Sequence, residues 1–374
     1  MGQREKHHEL QKLFDAGIPV YSFSKLETIN NCLLAAYKQY VLHESGSGNI
    51  YSYMGTKVHD TLEAIMNGKA TEADLLPALH EELEDMDMAG VEFPKDRDGN
   101  DTLRSNWLKD MEHFCKTYKR PKDDLKNFST EDFFLYKSPA GHYLQGYIDL
   151  QHTLKDGSIA IYDYKTSSIY SSEADLQSHG RQLILYALGM QQAEKTVKSV
   201  SWIFLKYVNA TFLGKKTAKS KEKTWIERTI ERRKIGWELS KYVIADLYEA
   251  GYDNLDVEAI ADKFKASNDL NDLPDEIREN YKIKPCVKEY ELSEETIREC
   301  EEYVDKTIAM WEALSGDEED YPHREFMKTQ KNGKKVPDTF FCNSLCNFKG
   351  CPDVKDFMDQ QLGQSDDDDD DMFA

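Results

Sequence analysis

Two short runs of alternating apolar and polar residues, His142–Gln151 and Ser158–Tyr164, flank Lys155-Asp156-Gly157. Alternation of period two predicts strands, and the Asp-Gly pair predicts the tight turn of a hairpin between them. Upstream, Phe128–Lys137 is rich in aromatic residues and predicts a first strand, with Ser138–Gly141 as its turn. Downstream, Leu183, Tyr186, Ala187 and Met190 recur at helical spacing within Leu176–Gln191, and Val200–Tyr207 predicts a last, buried strand. A hairpin is antiparallel and a helical crossover joins parallel strands, so the order strand, strand, strand, helix, strand predicts an α/β fold with a mixed central sheet.

Helices are predicted around this centre. Leu26, Ile29, Leu33, Tyr37 and Tyr40 mark one that Ser24 and Glu27 would open as a capping box and that contains Cys32. Val58, Leu62 and Ile65 mark another from near Gly55, and residues 71–127 read as an acidic helical cap. From Asn209 onward the pattern predicts a basic loop and then helices over Trp225–Tyr248, Asp256–Ala266 and Ser293–Leu314. The expected organisation is a polar N-terminal helix over 1–20 and a single domain over 21–356. That domain divides into core motifs (55–207), a helical extension (208–340) and a Cys-rich closure (341–353), and a disordered acidic tail follows over 357–374.

The hairpin carries the chemistry. Side chains two apart on a strand share a face, so Asp163 and Lys165 point the same way, and the turn brings Asp149 to them. Carboxylates set among Ile148, Leu150, Ile159 and Ile161 are costly to bury unless paired or holding a cation, which points to a divalent metal. His59 and Glu63 share one helical face, as do Gln182 and Tyr186. The spacing of His59 and Glu63 suits a metal ligand with its neighbour and a surface pair equally.

Composition and charge modify this picture. The chain has 374 residues, of which 40% are hydrophobic, enough for a large core. It has no apolar run near the ~18 residues of a membrane span. Its opening MGQREKHHEL lacks the apolar segment of a signal peptide, and the expectation is a cytoplasmic protein with no membrane partner. In a reducing compartment its seven cysteines would not form structural disulfides. Cys286 and Cys300 read as structural, whereas Cys342, Cys346 and Cys351 crowd into ten residues and predict a metal site. The net charge of -21 opposes nucleic acid at long range, yet Gly214–Lys234 holds nine Lys or Arg against three Glu, and Lys328–Lys335 holds four Lys and no acid. Asp366–Asp371 is an unbroken acidic run.

Taken in register, GTKVH with Glu63, GYID, DYK, and Gln182 with Tyr186 resemble the RecB-like nucleases of the PD-(D/E)XK superfamily over Tyr21–Tyr207. Cys32 ahead of these motifs and the C-terminal trio are further similar to the iron-sulfur subgroup, which includes AddB-type helicase-nucleases and CRISPR adaptation exonucleases. That subgroup spaces its last cysteines x2 then x5, and this chain spaces them x3 then x4. The resemblance implies a restriction-endonuclease-like core with helical N- and C-terminal elaborations. It implies Mg²⁺ or Mn²⁺ held by His59, Asp149, Asp163 and the carbonyl of Tyr164, with Lys165 acting on the water or the phosphate, Glu63 in support, and Gln182 and Tyr186 orienting Lys165 or contacting DNA. It also implies a 4Fe-4S cluster on Cys32, Cys342, Cys346 and Cys351, for which Zn²⁺ is the alternative. The implied activity is a metal-dependent deoxyribonuclease, most simply an exonuclease on single strands or ends in recombination, repair or replication. The alternative is a DNA-binding scaffold with a degenerate site. No GxxxxGK[ST] occurs, so the chain carries no motor of that type. The acidic run closed by Met372 and Phe373 resembles the tips of single-strand-binding proteins and implies replication or recombination partners; the alternative is a solvated tail that aids solubility or keeps nonspecific DNA away.

Overall fold

The computed structural model describes residues 8–96, 98–121, 124–214, 223–329 and 333–360. In chain order its elements are α1 (His8–Asp15), β1 (Val20–Ser22), α2 (Phe23–Asn31), α3 (Leu33–Tyr40), α4 (Ile50–Met66), α5 (Leu75–Met88) and α6 (Thr102–Thr117). There follow β2 (Phe128–Ser129), β3 (Asp132–Lys137), β4 (Tyr143–Ile148), β5 (Leu150–Thr153), β6 (Ile159–Lys165), α7 (Glu173–Gln192), β7 (Val197–Leu213) and β8 (Trp225–Glu231). The chain continues with α8 (Ile235–Glu249), α9 (Asn254–Ser267), α10 (Asp275–Arg278), β9 (Tyr281–Tyr290), α11 (Glu294–Glu312), β10 (Met327–Thr329) and β11 (Lys335–Pro337), and residues 352–360 form a closing helix. That helix includes residues 357–360, which the sequence pattern assigns to the tail; the acidic run itself lies outside the described residues.

The main sheet has the order β2-β5-β6-β7-β8, with β9 also paired to β7, and a smaller sheet has the order β1-β4-β3. β5 and β6 are antiparallel, while β6 and β7 are parallel and joined through α7, so the expected mixed sheet is present. The turn between β5 and β6 is the expected one. Gly157 adopts φ 82, open to a residue without Cβ, and Asp156 accepts from Ser158 N at 3.0 Å and Ser158 Oγ at 2.6 Å.

The hairpin's first arm differs from the expectation. His142–Gln151 is not one strand: β4 pairs with β3 and β1, β5 pairs with β6, and Asp149 is the step between the two sheets. Phe128–Lys137 divides likewise, since β2 pairs with β5 and β3 with β4. Alternation reports which way a side chain faces and not which strand lies beside it, so such a step leaves no mark in the pattern.

The C-terminal half departs further. β7 continues to Leu213, Trp225–Glu231 is strand rather than helix, and β9 occupies a stretch for which no element is predicted. The pairing of β9 with β7 slips between Phe204 and Val208, a bulge that moves the inward positions of β9 from Tyr281 and Ile283 to Cys286 and breaks the period of two. β8 has a single fully buried residue, Ile230, and its charged face hides it as a strand. The helix expected to contain Cys32 is interrupted at that residue, whose φ of -163 and ψ of 111 are extended, and its N-cap is Ser22 rather than Ser24, with Ser22 Oγ accepting from Lys25 N at 3.2 Å.

Helices cover both faces of β6, which is therefore buried almost throughout. On one face Ile159 and Ile161 pack with Trp202, Phe204 and residues of α7 and α11; on the other, Leu150, Tyr164 and Leu205 pack with α4, α5 and α6. A third core around Phe212, Val243 and Phe264 seats α8 and α9 against the far half of β7. No helix among the described residues is long and apolar enough to cross a membrane.

Candidate active site

Three elements place acids and bases at the step between the two sheets. β6 delivers Asp163 and Lys165 from one face, and the β4–β5 step delivers Asp149, whose Oδ2 accepts from Tyr164 N at 2.9 Å. This bond fixes Asp149 to the backbone of the strand that carries Asp163. From α4, His59 Nδ1 reaches the same Asp149 Oδ2 at 3.4 Å, and its ring meets Tyr164 edge-on at 5.9 Å. Asp163 is 2% exposed, and its Oδ2 lies 2.6 Å from Lys165 Nζ yet has no hydrogen bond of regular geometry. Lys165 Nζ donates to Gln182 Oε1 at 2.9 Å, and Gln182 Nε2 donates to Tyr186 OH at 2.7 Å. A polar chain thus runs from Asp163 through Lys165 and Gln182 to Tyr186 across the β6–α7 interface.

Burial pushes the Asp163 carboxyl up to about 6, and the nearby charge of Asp149 pushes in the same direction, against the pull of Lys165 and His59. For Lys165 burial acts downward, but Asp163, Tyr170 and Asp149 outweigh it and hold the ammonium charged. Burial raises the Tyr186 hydroxyl well above the ordinary tyrosine value, so it is a neutral hydrogen-bonding group. Next to this set His179 stacks on Tyr170 at 4.0 Å, and its ring is driven down to about 4 by burial and then by Lys165.

The family model of the PD-(D/E)XK nuclease superfamily matches residues 20–351, a span that contains every group just described. The chain belongs to the PD-(D/E)XK nuclease superfamily. Its mixed sheet flanked by helices is the restriction-endonuclease-like fold of that superfamily, whose members are generally metal-dependent phosphodiesterases. No curated protein matches the chain. A solved structure titled "Crystal structure of SSO0001" is similar at 15% identity over 53% of this chain and 75% of that one, with a TM-score of 0.18, too slight a likeness to bear on the reading.

PD-(D/E)XK nucleases typically use divalent ions such as Mg²⁺. Among the described residues no three His, Cys, Asp or Glu side chains stand together at ligating distance. The donor set nevertheless fits a hard divalent ion. Asp163 offers a buried oxygen without a regular partner, Asp149 and His59 face one another beside it, and the backbone of Tyr164 is tied to Asp149. Glu63 is not drawn into this set; its described partner is Asn67, at 3.5 Å on the same helix.

One acid at the site of this PD-(D/E)XK chain is absent from the sequence-based set. Glu27, read there as a capping residue, lies half-buried within electrostatic reach of Lys165, Asp163 and Arg181, and burial raises its carboxyl. Because Ser22 caps α2, Glu27 is free of that duty. Its placement depends on α2 crossing onto the β6–α7 face, which local spacing does not encode.

The cysteines converge from both ends of the match. Cys32 and Cys346 share an apolar cluster with Phe341 and Phe348, and burial pushes the Cys342 thiol up to about 11, with Cys32, Cys346 and Cys351 adding to the rise. Phe348 N donates to Cys346 Sγ at 3.4 Å. Ser47 N donates to Asn347 O at 2.8 Å, and Asn49 Nδ2 to Leu345 O at 3.0 Å, so the segment after α3 clasps the cysteine loop. All seven cysteines are free thiols. Cys32, Cys342, Cys346 and Cys351 thus lie within electrostatic reach of one another without standing at ligating distance, and any soft, thiolate-bound group held there would have to draw them closer and displace their protons.

Proposed function

We propose that the chain is a divalent-metal-dependent deoxyribonuclease, acting as an exonuclease on single-stranded DNA or DNA ends in recombination, repair or replication. The observation that carries this reading is Asp163, a carboxylate buried beside Asp149 and Lys165 with one oxygen lacking a regular hydrogen bond. Burying two carboxylates beside a single lysine is costly, and a site that binds a cation and a phosphate accounts for it.

In this reading His59, Asp149, Asp163 and the Tyr164 carbonyl would hold Mg²⁺ or Mn²⁺, which when bound supplies Lewis acidity and an activated water. Lys165 keeps its ammonium charged and, swung from Asp163, offsets charge on the scissile phosphate. Gln182 restrains Lys165 by accepting from its Nζ, and Tyr186 in turn restrains Gln182. Hydrolysis forms one P–O bond to water oxygen and breaks the P–O bond to the departing sugar, which takes up a proton. Glu63 would steady α4 beneath His59. Phosphate contacts fall to the basic stretch Gly214–Lys234, of which residues 215–222 lie outside the described residues, as do 330–332 of the second basic stretch. Cys32, Cys342, Cys346 and Cys351 would hold a 4Fe-4S cluster, with Zn²⁺ the competing occupant.

The test is hydrolysis of DNA labelled at either end, single- or double-stranded, with Mg²⁺ or Mn²⁺. Asp163→Ala and Lys165→Ala are expected to lower the rate at least ~10³-fold, the scale of losing a principal charge-stabilising group. Full activity in Asp163→Ala would sink the proposal in favour of a scaffold with a degenerate site. For the cysteines, anaerobically purified protein should absorb in a shoulder near ~400 nm from sulfur-to-iron charge transfer; a colourless, zinc-containing sample would reverse that assignment.

A further inference from the structure

Behind the proposed centre lies a concavity. Side chains alternate across β6, so Tyr164 faces away from Asp163 and Lys165. There, between α6 and the bulged segment of β7 and β9, a cleft of about 780 Å³ opens, within the size range of small-molecule sites. Its floor is apolar and aromatic, with Tyr164, Leu150, Leu205 and Phe114 among its residues.

Its charge runs against that of the whole chain. In a protein of net charge -21, the described residues lining the cleft include Lys116, Lys119, Arg232 and Lys284 against one carboxylate, Asp269. Arg232 is 8% exposed, and its described hydrogen bonds go to Leu205 O at 2.6 Å and Thr117 Oγ1 at 3.1 Å, neutral acceptors both. The Asp110 carboxylate acts on this guanidinium through space but is itself bound by Arg233, so Arg232 brings positive potential into a low dielectric with only neutral atoms in its described hydrogen bonds. His113, in the same wall, spends Nε2 on Asn268 O at 3.0 Å and leaves its buried Nδ1 with no hydrogen-bond partner. Asn268 and Asn271 add amides to the rim. Cations, an aromatic and apolar floor over which Arg232 lies at 5.2 Å from the Phe114 ring centre, and amides together suit a ligand with a phosphate, a planar ring and hydrogen-bonding edges.

We propose that this cleft binds a nucleotide, with its phosphate toward Lys119, Lys284 and Arg232 and its base against the Tyr164 and Phe114 wall. The chemistry is shared by a free mononucleotide and by the terminal nucleotide of a strand. Occupancy does not require the nuclease reading: of the proposed metal-holding residues Tyr164 alone, assigned through its main-chain carbonyl, is among the described lining of the cleft, and His59, Asp149 and Asp163 are not.

The experiment is calorimetric titration of deoxyadenosine 5′-monophosphate into the full-length chain in metal-free buffer, with wild type and Asp163→Ala side by side. Both should bind equally. Lys119→Glu and Lys284→Glu, each at an exposed position where folding should survive, should weaken binding about tenfold apiece, the scale of one charge-assisted contact. Adenosine and inorganic phosphate should each bind at least about tenfold more weakly than the nucleotide. Tighter binding of a 5′-phosphorylated dinucleotide assigns the strand terminus, and weaker binding assigns the free mononucleotide. The proposal is overturned if millimolar nucleotide does not bind wild type, if neither lysine variant weakens it, or if Asp163→Ala abolishes it.

Discussion

Lys165 sits between two demands. It neutralises a carboxylate buried in the core, and in the proposed mechanism it must leave that carboxylate to meet a phosphate. Removing it should therefore affect stability as well as rate. In Lys165→Met the charge of Asp163 is left unpaired, a loss of about 3 kcal/mol by the measure of broken buried pairs. Lys165 is among the groups that hold the Asp163 carboxyl down to about 6, so without it that carboxyl is protonated at higher pH, and the stability gap from wild type should narrow as pH falls toward 6. Denaturant titrations at pH 5 and pH 8 measure it, and an unchanged gap would refute the pairing. His179 gives a second, opposite test. Its folded value is depressed from 6.5 to about 4, so the unfolded chain takes up the proton first. The contribution is complete above 6.5 and is lost as pH falls toward 4. Thermal melts of wild type and His179→Phe should converge on that descent, the variant lacking this part of the slope. Asp149, Asp163, Lys165, Gln182 and Tyr186 were all readable from strand and helix periodicity together with motif order. Glu27 was not, because nothing local distinguishes a capping acid from one turned onto a neighbouring sheet.

At the scale of elements, glycines record where backbones press together. A Cβ on Gly236 of α8 would lie 2.5 Å from Phe264 O and 2.6 Å from Lys265 Cα, main-chain atoms that cannot step aside. Gly236→Ala should cost about 1–3 kcal/mol and lower the melting temperature while leaving the rate per folded molecule unchanged. A Cβ on Gly180 would strike the Tyr290 ring at 2.2 Å, on the same helix that positions Gln182. Gly180→Ala should therefore lower both stability and rate, and a nuclease assay corrected for folded fraction separates the two variants. Helices α4, α7 and α11 were legible from their stripes. The step at Asp149 and strands β8 and β9 were not: the first keeps its alternation while changing partner, the second is charged on its open face, and the third loses its period at a bulge.

For the whole molecule, the clasp between residues 47–49 and 345–347 joins segments almost three hundred positions apart next to the four gathered cysteines. Cys32→Ser or Asn49→Ala should loosen the C-terminal flank before the sheet, so limited proteolysis should cut after α11 sooner than in wild type while the core fragment persists. Simultaneous loss of core and flank would mean that the clasp and the sheet unfold as one.

The length of β7 has a consequence for anyone wishing to divide this chain. Its first half pairs with β6 in parallel and its second half with β8, while β9 runs beside both. The apparent boundary at Tyr207 and Val208, where the motifs end and the extension begins, falls inside one strand. A chain stopped at Tyr207 would keep every proposed ligand of the divalent ion, yet it would strip β7 of an antiparallel neighbour and bare a long apolar edge, an open template for the next copy. Such a fragment is expected to precipitate rather than fold. A minimal nuclease from this protein would have to retain the strand that returns some eighty residues later, because the sheet is finished by residues outside the proposed metal centre.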